Sequence, residues 1–94
     1  MIVRGSSKPA GCKLLRIEAD IDEGLIRSIM VRGDFFAVPE EGFERIEARL
    51  AGTAAGSLAS RFEELVREEG VEVLGISGEG LAAALAEATR AGTL

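Results

Sequence analysis

Side chains able to do chemistry are few in this chain. It has no His, a single Cys and only two Lys, Lys8 and Lys13, among eleven basic residues. Without His, the commonest general base and the commonest metal ligand are missing. Gly78-Glu79-Gly80-Leu81-Ala82-Ala83 has the G-x-G-x-x-A form of a dinucleotide loop. That fold needs a second parallel strand after the helix and an acidic residue about 20 positions on. The sequence ends at Leu94 before either, and Glu79 would set a carboxylate against the phosphates, so a helix start is expected here. Gly5-Ser6-Ser7-Lys8 lacks the spacing of a phosphate loop. Arg32-Gly33-Asp34 matches an adhesion tripeptide, a chance match in a chain with no secretion signal. Glu40, Glu41 and Glu44 read as a solvated face near a helix N-terminus, which favours acidic residues.

Two features remain. Cys12 lies beside Lys13, which could activate a thiol, but with no base or resolving cysteine it reads as passive. Lys8 and Lys13 flank one turn. Their simplest reading is two solvated turn lysines. Their functional reading is a mobile cation that a partner's active site uses against a phosphate or carboxylate.

Composition narrows the function further. Sixteen acidic and eleven basic side chains give a net charge of −5, which disfavours nucleic acid and anionic membranes as partners. No apolar run approaches the ~20 residues of a membrane span, and the N-terminus lacks the long apolar core of a signal peptide. A lone cysteine forms no internal disulfide and fits a reducing cytoplasm. Ninety-four residues make one domain, residues 1–94, which buries only about two-thirds of its unfolded surface. This is poor material for a self-sufficient enzyme.

The elements that must position these residues follow from periodicity. Ile2-Val3-Arg4 reads as an edge strand, and Lys8-Pro9-Ala10-Gly11 as a turn. Lys13 to Ile21 alternates, with Leu15, Ile17, Ala19 and Ile21 on one face. Asp22-Glu23-Gly24 reads as a three-residue hairpin loop. The return strand Leu25 to Arg32 points Ile29 and Val31 inward, and Ile26, out of phase, suggests a bulge near Arg27. Gly33 lets the backbone leave the strand. Phe35 and Phe36 then point to opposite sides of an extended segment, one plugging the seam between sheet and helices and the other reaching a second cluster or the surface. Truncating Phe35 is expected to cost about 3–5 kcal/mol, and Phe36 as much only if it too is buried.

Pro39 fits the first turn of a helix. From Glu40 the period is helical, with Phe43, Ile46 and Leu50 in one stripe, a Glu41–Arg45 pair and Gly52 as a left-handed cap. Ser57 is placed to cap a second helix carrying Leu58, Phe62, Leu65 and Val66, closed by Gly70. Val71 to Ile76 reads as a strand and Glu79 to Ala91 as a third helix with Leu81, Leu85 and Ala88. The order β-β-β-α-α-β-α makes an α+β domain, a small mostly antiparallel sheet with three helices on one face.

Gly11-Cys12-Lys13-Leu14, a Gly-turned hairpin, Gly33-Asp34-Phe35-Phe36 and Pro39-Glu40-Glu41 together resemble the C-terminal accessory domain of lipoate–protein ligases. That family has a Gly-Gly-Lys-Leu entry to the long strand, a Gly-Asp-Phe-Phe exit and a Pro-Glu helix start. Gly75-Ile76-Ser77-Gly78-Glu79-Gly80-Leu81 resembles its turn before the last helix. The resemblance runs from about Lys8 to Ala91, and the sequence departs from it at Cys12, where the family has Gly. It implies a non-catalytic accessory subunit, the small subunit of a split ligase, which fits a chain running from Met1 to Leu94. The complex would use ATP, Mg and lipoate to form lipoyl-adenylate, then pass the lipoyl group to a lysine of a lipoyl carrier domain. The implied partner is a large catalytic subunit that holds the pocket, and this chain alone would bind no cofactor or metal. The resemblance also puts a lysine at Lys13, whose cation would assist adenylation in the partner's site. Gly33, Asp34, Phe35, Phe36 and Pro39 would form the structural motif. The alternative is a protein-interaction module of the same fold with no ligase role. The iron–sulfur scaffold fold, which the domain also resembles, needs several Cys. A lipoyl carrier needs Asp-Lys at its hairpin tip, where this chain has Asp22-Glu23-Gly24.

Overall fold

The computed structural model describes residues 1–92. Three strands, β1 (Ile2–Ser7), β2 (Leu15–Asp22) and β3 (Leu25–Gly33), form an antiparallel meander in the order β1-β2-β3. Alternation fixes the faces: Val3, Leu15, Ile17, Ala19, Ile29 and Val31 are buried, and the residues between them lie on the open side. The register shifts between Asp20, opposite Ser28, and Ile21, opposite Ile26. Arg27 is therefore the extra residue of a bulge, which turns Ile26 into the core where it is fully buried. The hairpin loop is tighter than expected, because Asp22 and Leu25 still pair and only Glu23 and Gly24 turn, both at positive φ.

The chain leaves β3 through a short strand β4 (Phe36–Val38), enters α1 (Glu40–Arg49), and makes a 3₁₀ turn at Ala55–Ser57 before α2 (Leu58–Glu69). Strand β5 (Glu72–Leu74) and helix α3 (Gly78–Gly92) follow. The fold is α+β with three helices against one face of the meander, as the periodicity predicts. The added feature is β4, which with β5 makes a separate two-stranded antiparallel ribbon. The strand expected over Val71 to Ile76 is reduced to three residues in that ribbon, because Gly75 is at positive φ and turns the chain away.

Helices α1 and α3 lie beneath the meander, and α2 packs against both. Three rings join these layers: Phe35 to Phe43 at 5.0 Å between centroids, and Phe43 to Phe62 at 6.2 Å in an edge-on arrangement. Leu15, Ile26, Ile46, Leu50, Leu58, Leu65, Leu81, Val3 and Val31 are fully buried along with Phe62. The outer edge of β3 is closed by main chain and by a carboxylate. Ile26 N–H donates to Thr53 C=O, Gly52 N–H donates to Ile26 C=O, and Val31 N–H donates to Glu47 Oε2 at 2.7 Å. Gly52 thus takes its left-handed conformation to reach β3, three residues after α1 has ended at Arg49.

Helix ends depart in detail from expectation. Pro39 occupies the N-cap position just before α1. Ser57 stands at the N-cap of α2 but its hydroxyl makes no capping bond, the preceding 3₁₀ turn leading the chain in instead. Gly70 closes α2 in the left-handed region as predicted. Arg45 turns from Glu41 to Glu69 on α2, at 2.7 Å, and Arg49 reaches Glu68 and Glu69 at 2.6 and 3.1 Å. A partner on a packed neighbouring helix outcompetes the local i,i+4 one, because tertiary packing already fixes the approach. The Arg45 and Arg49 hydrogen bonds hold the Glu69 carboxyl below its ordinary range.

The rings sort the expected effects of truncation. Phe62→Ala should cost about 3–5 kcal/mol, the half-buried Phe35→Ala less, and the exposed Phe36→Ala almost nothing, read from urea midpoints. Because its folded-state pKa is depressed, Glu69 contributes its full stabilisation above the ordinary carboxylate pKa and loses it as the pH falls from there through the lower folded-state pKa. Arg45→Gln should therefore unfold less steeply on acidification than wild type, in a circular-dichroism titration between neutral and acid pH.

Candidate functional site

Three segments cross at one end of the molecule, and Lys13 stands at the crossing. Its backbone N–H donates to Gly75 C=O at 2.8 Å, and one residue on, Leu14 C=O accepts from Asp34 N–H at 3.0 Å. The start of β2, the exit of β3 and the exit of β5 are thereby tied together. Two glycines make the crossing possible. A Cβ at Gly33 would lie 2.0 Å from the Leu14 carbonyl oxygen, and one at Gly75 would lie 2.6 Å from Lys13 Cγ. The Lys13 stem therefore rests on the bare backbone of Gly75. The residue is exposed. Among the described residues no carboxylate pairs with its ammonium, whereas Arg4, Arg27, Arg32, Arg45, Arg49 and Arg61 all have one. Lys8, exposed in the preceding turn, has no carboxylate partner among them either.

The motif residues divide into scaffold and surface. Gly33 and the Asp34 amide make the crossing, and Phe35 stacks on Phe43. Pro39 leads into α1. Phe36 is different, because it points out and is 70% exposed. In the ribbon Phe36 faces Leu74, Ala37 faces Val73 and Val38 faces Glu72. Ala37 and Val73 pack inward against the core. The other face carries Phe36, Val38 and Leu74, whose exposures of 70, 62 and 72% make them the three most exposed large apolar side chains among the described residues. Beside β4 runs a cleft of about 590 Å³ floored by Phe35, Ala37 and Phe43 and bordered by Glu40, Glu44 and Glu47 of α1. Sequence reasoning gave no surface role to Val38 or Leu74, and read Gly75 only as part of the turn before the last helix. The signal for Val38 was an apolar pair, Phe36 and Val38, two residues apart just before Pro39, with no helical stripe to absorb it.

The remaining motif-like stretches are taken up in packing and pairing. Cys12 is buried, its Sγ 3.7 Å from Ser77 Oγ, and a Cβ at Gly80 would lie 2.2 Å from that sulfur. Gly11 takes the left-handed turn conformation, so Cys12 needs no glycine and its side chain packs against the start of α3. The G-x-G-x-x-A stretch starts a helix: Gly78 N–H donates to Glu63 Oε2 at 2.7 Å and Gly80 N–H to Ser77 Oγ at 3.0 Å. A carboxylate of the chain itself already takes the place a phosphate would need. Gly78 also lies against α2, since a Cβ there would come within 2.2 Å of the Ala59 carbonyl oxygen. Arg32 of the adhesion-like tripeptide is paired with Glu47.

No protein-family model matches the chain. Lipoate-protein ligase A subunit 2 of Thermoplasma acidophilum is 31% identical over 75 residues, covering 77% of this chain and 76% of that protein. The chain belongs to the family of lipoate–protein ligase small subunits. The fold agrees with the assignment. A solved chain from an archaeal lipoylation system, a bi-partite lipoate protein ligase and its E2 lipoyl domain from Thermoplasma acidophilum, superposes with a TM-score of 0.70. It is 29% identical, and the match spans 90% of this chain and 97% of that one. No helix among the described residues is long and apolar enough to cross a membrane.

The bond that closes the start of α3 is open to test. Glu63→Ala should leave the Gly78 amide without its acceptor and lower stability by about 1 kcal/mol. A urea midpoint equal to that of wild type would show that water replaces the carboxylate freely.

Proposed function

We propose that this chain is a single accessory domain that completes a two-component lipoate–protein ligase in the cytoplasm. In this reading a large catalytic subunit holds ATP, Mg and lipoate, and the accessory subunit is needed when lipoate is activated to lipoyl-adenylate. The lipoyl group then passes to a lysine of a lipoyl carrier domain. The observation that carries the reading is the likeness to a ligase subunit 2 along three-quarters of both chains. The residues agree with a non-catalytic part. The chain has no His, and the first-turn amides of α3 that could cradle a phosphate are committed to Glu63 and Ser77.

Lys13 is the group of this chain suited to the adenylation step. There the lipoate carboxylate oxygen bonds to the α-phosphorus of ATP, the bond to the bridging oxygen breaks, and pyrophosphate leaves with the electron pair. Both reactants are anionic, so a cation brought to the partner's site offsets charge as it accumulates in the transition state. Lys13 keeps its proton throughout and acts by charge alone. Its ammonium has no carboxylate partner among the described residues, so none would have to be broken on approach to that site.

Two outcomes test the reading. The purified chain alone should form no lipoyl-adenylate, while the complex should catalyse lipoate-dependent ATP–pyrophosphate exchange. Lys13→Ala should leave folding and complex formation intact and slow that exchange by about tenfold or more, on the order of 1.4 kcal/mol. Transfer from preformed lipoyl-adenylate should scarcely change. Normal exchange in the mutant complex would reduce Lys13 to a surface lysine. A catalytic subunit that exchanges equally well without the chain would leave a protein-interaction module with no ligase role.

A further inference from the structure

We infer that the outward face of the β4–β5 ribbon, Phe36, Val38 and Leu74, is where the catalytic subunit docks, through an apolar segment flanked by basic side chains. The inference rests on the accessory-subunit reading and adds to it the place and chemistry of the contact.

Two independent features converge on this face. The first is its apolar character: the three most exposed large apolar side chains among the described residues stand together on one side of a two-stranded ribbon, Phe36 and Val38 from β4 and Leu74 from the distant β5. Scattered exposed hydrophobes need no explanation, but a contiguous group marks an interaction site. An exposed aromatic at the centre of such a group is the usual anchor of an interface. The second is charge. Glu40 and Glu44 border the cleft beside β4, and Glu72 sits across from Val38 on the outward face. All three are exposed, and none has an ion-pair partner among the described residues. Of the cleft's carboxylates only Glu47 is paired, with Arg32. Unpaired carboxylates also occur elsewhere, as at Glu23, Glu79 and Glu87, and what sets Glu40, Glu44 and Glu72 apart is their place around the apolar face. An apolar face rimmed by unneutralised carboxylates is complementary to an apolar segment carrying Lys or Arg on its flanks. The position suits the proposed chemistry as well. Leu74 is followed directly by Gly75, whose carbonyl accepts from Lys13 N–H, so a subunit seated on the ribbon has Lys13 at its border.

The open side of the meander supplies the control. Met30 is also exposed, at 48%, but it lies among Arg4, Arg16, Glu18 and Arg32 on the other sheet.

The test uses the full chain and its cognate catalytic subunit in titration calorimetry and sedimentation velocity. Phe36→Glu and Leu74→Glu replace exposed side chains and should keep the wild-type thermal transition. Each should weaken association by at least about tenfold, and Glu44→Lys should weaken it by a smaller factor. Met30→Glu should bind as wild type does. Wild-type affinity in both ribbon variants, or an equal loss in Met30→Glu, would overturn the docking face while leaving the accessory-subunit reading standing. Self-association of the chain alone that Phe36→Glu abolishes would give the face to a second copy and overturn the proposed occupant. Failure of the wild-type chain to bind the catalytic subunit would overturn the accessory-subunit reading itself, and the docking face with it.

Discussion

The structure depends on one close approach of backbone to backbone. At Gly33 the exit of β3 passes so near the Leu14 carbonyl that no side chain fits between them, and the Asp34 amide bonds to that carbonyl. One residue upstream, Lys13 reaches across to Gly75. These bonds fix where the chain departs from the meander in both directions, and so where the ribbon lies. Shifting the crossing by one residue would invert the ribbon's faces, burying Phe36 and expelling Ala37. The same crossing delivers Phe35 to Phe43 and, through Phe43, to Phe62 on α2. Core and surface are thus set by a single geometric constraint. Glycine meets it because the approach leaves no room for a Cβ.

That arrangement divides the labour of the residues. The meander and helices bury an uninterrupted apolar set with no buried charged or polar side chain among the described residues. Carboxylates close what the backbone leaves open, Glu47 on the edge of β3 and Glu63 at the start of α3. Glu63 occupies the Gly78 amide at the start of α3, where the G-x-G-x-x-A stretch imitates a dinucleotide loop. What is left for interaction is the ribbon face, the acidic rim beside it and Lys13, all belonging to the crossing or to the two short strands it positions.

Much of the fold was legible because it rests on period and on glycine. The alternation of Leu15, Ile17 and Ala19 gave the buried face of β2, and the phase slip at Ile26 gave the bulge before any register was known. Phe43, Ile46 and Leu50, then Leu58, Phe62 and Leu65, announced two helices by spacing alone. The ribbon was not legible. Phe36-Ala37-Val38 and Glu72-Val73-Leu74 are three residues each, too short for a period to declare itself, and each becomes a strand only because the other lies beside it. Pairings across helices were hidden for the same reason: Arg45 has an acidic neighbour four residues back on its own helix, and only packing brings Glu69 nearer. Of the site, Lys13 stood out as one of only two lysines, both beside one turn, and the Gly33 to Phe36 segment as the exit from a strand into helices, with the family resemblance falling on the same residues. Leu74 and Val38 were missed because a hydropathy pattern shows which residues are apolar and cannot show which of them the fold leaves outside.

An exposed apolar ribbon ought to be a liability, since strand edges and apolar faces invite aggregation. Three properties limit the danger here. The strands are three residues long, too short to template a sheet. Pro39 stops β4 from extending and has no amide to offer a neighbouring strand. Glu40, Glu44 and Glu72 surround the face with negative charge in a chain that is already acidic overall, so two copies approaching face to face meet like charges. The same carboxylates that repel a second copy attract a basic-flanked partner. In the proposed docking, a face that is apolar at its centre and acidic at its rim discriminates by charge before it binds by contact.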